Sequence, residues 1–235
     1  MKMRKSCAVI IAIVFSAVFA GALRAGDVAS FVDLGFSENG GIYMFAQYGV
    51  DERTLRPWAE MFIVDVARNE FVPDGRLSYK HDKPVALGQD GSAALLRIVS
   101  GNSGIIKKYR SNFMLQGIPL FISLEDVRSP SGYTIDFRDF ERGMYYSAAL
   151  KTITYGSGGS ARSSFFINLN RIAGSGAKKT YLVGSPEVRR SGVTTYSIKK
   201  AIVSPDRSAM ILVIEMTLLN GDGVDIRYMI EALRL

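Results

Sequence analysis

The sequence predicts a mainly β protein built of antiparallel hairpins, propeller-like or sandwich-like, with a short inserted helix near residues 90–100. Three observations carry this. Short runs with two-residue alternation of apolar and polar residues recur along the chain, separated by Gly, Asn, Asp and Ser, the pattern of half-buried antiparallel strands. Two polar clusters, Ser37-Glu38-Asn39-Gly40 and Ser204-Pro205-Asp206-Arg207, hold the residues that tight connections between such strands require. Helical spacing is confined to residues 90–110.

Taken in order, the strand candidates are 28–36, 42–48, 61–66, 119–123, 133–137, 144–155, 164–169, 180–183, 194–203, 210–218 and 225–233. In the second, Ile42, Met44, Ala46 and Tyr48 fall on one face and Tyr43, Phe45 and Gln47 on the other. Residues 210–214 are instead apolar without a break, which suits a strand buried on both faces and argues against a membrane barrel, whose strands alternate. Asp90 is placed to cap a helix whose Ser92, Leu95, Leu96 and Val99 line one stripe, with Gly101 as its stop and a further helical turn at 105–109. Phe71-Val72-Pro73-Asp74-Gly75 is a partial copy of the turn motif, and no clear strand is read after it. The stretches 156–160 and 174–176 are read as loop tips.

The first 25 residues have the layout of a secretory signal peptide. Lys2, Arg4 and Lys5 precede a charge-free run at 7–23, and the small residues Ala20, Gly21, Ala22 and Ala25 follow its centre. Cleavage after Ala25 is preferred to Ala20 or Ala22, because Gly26 and Asp27 then begin a polar mature end, leaving 26–235 as a single β-rich secreted domain with no membrane span. Cys7 is the one cysteine of the chain. Its loss with the leader removes disulfides, thiolate metal sites and a cysteine nucleophile from consideration. The formal charge of +7 also falls on removal of the leader, to 25 basic against 22 acidic residues. That balance gives no ground for a nucleic-acid partner; basic pairs such as Lys107-Lys108 and Arg189-Arg190 read as solvated edges.

Two resemblances follow from these residues. The clusters at Ser37 and Ser204 resemble the β-propeller repeat whose blades begin Phe-Ser-Pro-Asp-Gly; they lie 167 residues apart, close to four blades of roughly 40–45 residues. The second copy has Val203 for the aromatic and Arg207 for the glycine, which puts its left-handed backbone in question. More widely, Gly35-Phe36-Ser37-Glu38-Asn39-Gly40, Phe45-Ala46-Gln47-Tyr48-Gly49 and residues 59–66, with Ser204-Pro205-Asp206 and residues 223–232 at the other end, resemble a bacterial family of predicted secreted proteins with a domain of unknown function. The resemblance implies export, to the periplasm or beyond, and a β-rich domain. It brings no catalytic residues.

Few constellations suggest chemistry. His81, the single histidine, lies in the polar stretch Lys80-His81-Asp82-Lys83-Pro84 and reads as a turn residue; no Gly-x-Ser-x-Gly elbow accompanies it. Asp136, Asp139 and Glu141 form the densest acidic cluster, with Arg138 and Arg142 as the expected charge partners. Residues 174–180 lack the spacing of a phosphate-binding loop. Tyr145, Tyr146, Phe165 and Phe166 read as core. The best recognition candidate is the loop 49–59, where Asp51, Arg53 and Arg56 stand beside Trp58, the only tryptophan, with packing of Trp58 into the core as the plainer reading. The sequence therefore favours a non-enzymatic envelope module that binds an unknown protein or ligand without cofactor or metal; the alternative is an envelope hydrolase using the acidic residues of 136–141.

Overall fold

The unbroken apolar run Met210 to Ile214 is the centre of the fold, because both faces of its strand are covered. In the computed structural model, which describes residues 26–124, 129, 131–156, 160–220 and 223–235, all five of these residues are fully buried. The leader reading at 1–25 lies outside the described residues, as does most of the loop tip at 156–160.

Among the described residues the chain forms twelve strands and two helices. Strands β1 (Ser30–Phe36), β2 (Ile42–Asp51), β3 (Arg56–Asp65) and β4 (Glu70–Lys80) make a first antiparallel sheet in sequential order. Helices α1 (Ser92–Gly101) and α2 (Ser103–Lys108) follow, then β5 (Ile118–Ile122). A third sheet, β6 (Gly132–Asp139), β7 (Met144–Tyr155), β8 (Arg162–Ala173) and β9 (Lys178–Ser191), is again sequential. The chain then returns to β5 through β10 (Val193–Val203), β11 (Ala209–Asn220) and β12 (Gly223–Arg234), giving a central sheet of order β12-β11-β10-β5.

The alternation of side chains sorts the cores. Ala209, Ile211 and Val213 of β11 meet Tyr43, Phe45 and Val64 of the first sheet. Met210, Leu212 and Ile214 meet the third sheet, with Tyr146, Leu150, Phe165 and Ile167. Strand β2 divides as its sequence predicts: Met44 and Ala46 pack with Ala94, Ile98 and Ile106 of the helices, whereas Tyr43 and Phe45 face the central sheet. Helices, first sheet, central sheet and third sheet are thus packed through three apolar clusters. Burial on this scale supplies the stability that a disulfide would otherwise add.

Three local expectations are corrected. A strand, β4, does run through Pro73 and Gly75. It is the edge of its sheet, where a missing N–H is tolerated, and mostly its Val72 and Gly75 are buried, so its apolar signal is faint. The helix turns Ala94 and Ile98 inward, and Leu96 is exposed; Asp90 still accepts hydrogen bonds from the Ser92 N–H (3.2 Å) and Oγ (2.7 Å), one residue ahead of the cap position. Third, Arg207 is left-handed, with φ of 59°, matching Gly40 at 67°.

The two serine turns are the same structure built twice. Ser37 N–H donates to the Ile42 carbonyl (2.9 Å), Ile42 N–H returns to Ser37 Oγ (3.0 Å), and Ser37 Oγ donates to Asn39 Oδ1 (2.8 Å). In the second turn Ser204 N–H donates to Ala209 O (2.9 Å), Ala209 N–H returns to Ser204 Oγ (3.0 Å), and Ser204 Oγ reaches Asp206 Oδ1 (2.5 Å). Each hydroxyl closes a hairpin by satisfying a backbone donor. Ser37→Ala and Ser204→Ala are accordingly expected to cost similar amounts, about 1–3 kcal/mol each, by orphaning the Ile42 and Ala209 N–H groups; urea titrations of the two variants give the comparison.

Candidate functional site

The hairpin carrying Asp51, Arg53, Arg56 and Trp58 is tighter than its sequence suggests, because β2 continues to Asp51 and β3 starts at Arg56, paired in register. Asp51 Oδ1 accepts the N–H groups of Arg53 (3.1 Å) and Thr54 (3.0 Å), while its Oδ2 takes Lys80 Nζ at 2.9 Å. Leu55 completes the turn with φ of 52°. The Lys80 hydrogen bond lowers the Asp51 pKa to about 2. A depressed carboxylate contributes stability above its unfolded value of 3.8 and loses it as pH falls through the folded value. The stability gap between the parent protein and Asp51→Asn is therefore expected to stay constant above pH about 4 and to shrink toward pH 2, as followed by thermal melts across that range.

Arg53 and Arg56 are exposed at the tip, but Trp58 is only 8% exposed. Its ring lies under the Arg227 guanidinium at 4.3 Å. Arg227 in turn donates to Asp27 Oδ2 (2.8 Å) and to the Asp27 carbonyl (2.8 Å). Gly49 opposite Trp58 is required by this packing: a Cβ there would sit 2.9 Å from both the indole and the Asp27 carboxylate. Trp58 thus seals residues 26–29 against β12, where Ile226 N–H donates to Asp27 O (3.0 Å) and Ala29 N–H to Ile226 O (3.1 Å).

The acidic cluster is organised by a residue the sequence reading did not choose. Asp139 is 3% exposed, and both its oxygens accept Arg207 Nη1 (2.6 and 2.5 Å), while Arg207 Nη2 bonds Glu141. This clamp, rather than Arg138 or Arg142, joins the β6–β7 turn to the left-handed turn of β10–β11. Burial raises the Asp139 pKa, but the Arg207 hydrogen bond and charge and the N–H groups of Arg142 and Glu141 outweigh it, and the carboxylate is held below its usual range. Asp136 is exposed and points to Tyr145. The three carboxylates do not share a cleft. His81 sits in a surface turn, its Nδ1 accepting the Lys83 N–H at 3.0 Å. Tyr146 and Phe165 are core, and Tyr145 and Phe166 are half-buried. Among the described residues no His, Cys, Asp or Glu group gathers as a metal site would.

A cavity that the sequence does not announce lies where all three sheets meet. About 460 Å³ in volume, it is bordered by Asn69, Glu70 and Phe71 of the first sheet, residues 182–185, Val188 and Arg190 of β9, and residues 229–233 of β12. Its floor is fixed by the covering of the β12 edge. Tyr228 N–H donates to Gln47 Oε1 (2.7 Å) and Ala232 N–H to Asn69 Oδ1 (2.7 Å), so side-chain amides of the first sheet stand where a neighbouring strand would be. Asn69 reaches this position from a left-handed turn residue, φ 54°, whose geometry Asp65 sets by accepting the Ala67 and Arg68 N–H groups. Its Nδ2 also donates to Glu231 Oε2 at 2.5 Å.

Glu231 is 5% exposed and stands on the strand face that carries Met229 and Leu233 toward the third sheet. Burial raises its pKa, opposed by the Asn69 hydrogen bond and the charge of Arg190. The Arg190 guanidinium is engaged elsewhere, over the rings of Phe165 (5.1 Å) and Tyr196 (5.9 Å) and on the Val188 carbonyl (3.3 Å). No cation among the described residues lies within ion-pair distance of Glu231. The walls are apolar and open: Leu182 is 66% exposed, and Phe71 and Val188 are about half exposed. The cleft thus sets apolar walls beside the polar groups of Asn69, Glu231 and Arg190.

No described helix is long and apolar enough to cross a membrane. No curated protein and no solved structure matches the chain. A family model described as "Predicted secreted protein (DUF2259)" matches residues 44–234, taking in β3 to β12 and both helices. The chain therefore belongs to the DUF2259 family of predicted secreted proteins.

Proposed function

We propose that this protein is a non-enzymatic binding module of the cell envelope and that the cleft between β4, β9 and β12 is its contact site. The observation that carries this reading is Glu231, a carboxylate sunk among apolar side chains on the floor of an open cavity, bonded by Asn69 and without a paired cation among the described residues. Leaving a charge in that position costs stability, and sites that carry such a cost are characteristically those that meet a ligand. In this reading the leader is cut after Ala25 and residues 26–235 act as one domain in the periplasm or beyond. The repeated serine turns are the remnant of a propeller-type repeat. At the β2–β3 hairpin, Asp51 and Trp58 serve the fold, while Arg53 and Arg56 offer an accessory cationic edge.

The envelope hydrolase alternative at Asp136, Asp139 and Glu141 has less support. General acid-base catalysis needs carboxyls converging on one substrate, whereas Arg207 holds Asp139 ionised and Asp136 points away. The proposal is tested by placing a photo-crosslinking amino acid at Leu182 in the cleft wall and, as a control, at the exposed Leu96 of α1. In the native envelope, an adduct from position 182 that disappears with Glu231→Gln, and no such adduct from position 96, is expected. Absence of an adduct at 182, or one indifferent to Glu231, overturns the assignment.

A further inference from the structure

We infer that the cleft takes an extended peptide segment carrying a basic side chain, with Glu231 as the acceptor for its lysine or arginine; the inference rests on the cleft being the binding site. Three features select this ligand. The first is charge: Glu231 is nine-tenths buried, its Oε2 is held by Asn69, and Arg190, which lines the same cavity, is engaged with two rings and a carbonyl. A ligand ammonium or guanidinium supplies the direct ion pair that Arg190, acting on Glu231 only through its charge at longer range, does not make. The second is shape. β4 and β9 are each the last strand of a sheet, so two of the three walls are strand edges without a neighbour beyond them, and an extended chain is the ligand that such edges recognise. The third is apolar complementarity: Phe71, Leu182 and Val188 are exposed and line the same cavity as the carboxylate, offering apolar contact to the residues on either side of the basic one. Glu70 at the rim adds to the preference for a cationic ligand.

The experiment compares two pentapeptide amides carrying fluorescein on the N-terminal amine, fluoresceinyl-Val-Thr-Lys-Val-Thr and its glutamate counterpart fluoresceinyl-Val-Thr-Glu-Val-Thr, by fluorescence anisotropy against the full chain. The lysine peptide is expected to bind at least about tenfold more tightly than the glutamate peptide. Glu231→Gln is expected to abolish that preference, with circular dichroism melts confirming that the variant is folded. Because the parent protein alone must discriminate the two peptides, the inference is exposed even if the variant does not fold. Equal binding of both peptides, preference for the glutamate peptide, or competition by free spermidine as effective as by unlabelled lysine peptide overturns the peptide assignment. If neither peptide binds while the Leu182 adduct still depends on Glu231, the ligand class is wrong and the site stands. If that adduct is missing too, both fall.

Discussion

Truncating either face of β11 is expected to destabilise the protein by a similar, large amount: about 2–5 kcal/mol for Leu212→Ala and for Ile211→Ala. These neighbours are both fully buried, yet they point into different cores, Leu212 toward the third sheet and Ile211 toward the first. In a strand with one solvated face, one of the two would be nearly silent. Here each removal leaves a void in a close-packed interior that the surrounding sheets fill only in part. The double variant is expected to depart from the sum of the two costs, because the residues are neighbours on one strand and both voids act on the same stretch of backbone. Guanidinium titrations provide all three values. A negligible effect for either single variant would mean that one sheet does not pack as described.

The second large effect is expected at Trp58. Trp58→Ala should cost about 3–5 kcal/mol, since the indole is buried, stacked under Arg227 and packed against Gly49. Trp58→Phe should cost distinctly less, because it keeps a ring beneath the guanidinium and loses mainly volume and the indole N–H beside Asp27. The reading of Trp58 as an anchor for a partner makes the opposite forecast: little change in melting temperature and loss of the adduct formed in the native envelope. The two readings therefore separate on melting curves and crosslinking of the same variants.

Much of the fold was legible because its signals are local. The unbroken run of β11 announced burial on both faces, the alternation of β2 named the residues of two cores, and the Ser turns marked the hairpins they close. Elements whose stability comes from elsewhere were not legible. β4 has Pro73 and Gly75 in its interior and depends on β3 for its pairing. β9 runs past Pro186 through a register shift, so its far half carries no clean alternation. Arg207 adopts a backbone that glycine prefers because Asp139 and Glu141, more than sixty residues away, hold its side chain.

The cleft was hidden for the same reason. Asn69, Arg190 and Glu231 come from three sheets, and the register of β12 against β11 and the turn at Asp65 bring them together. One local sign was present. Glu231 interrupts Tyr228-Met229-Ile230 and Ala232-Leu233, and its place on the same face as Met229 and Leu233 puts a carboxylate where the alternation calls for an apolar residue. In the acidic cluster at 136–141, richer in charge, Asp139 and Glu141 are clamped by Arg207, a partner supplied by another hairpin.

The central claim is that a sheet covered on both faces holds this cysteine-poor chain together and fixes the β12 edge beneath the cleft. Native-state hydrogen exchange tests it most directly. The amides of residues 210–214 are expected to exchange only through global unfolding, with an opening free energy equal to that from denaturant titration and unaffected by reductant. Exchange of those amides through local opening, at free energies well below the global value or below those of β7 and β8, would contradict it.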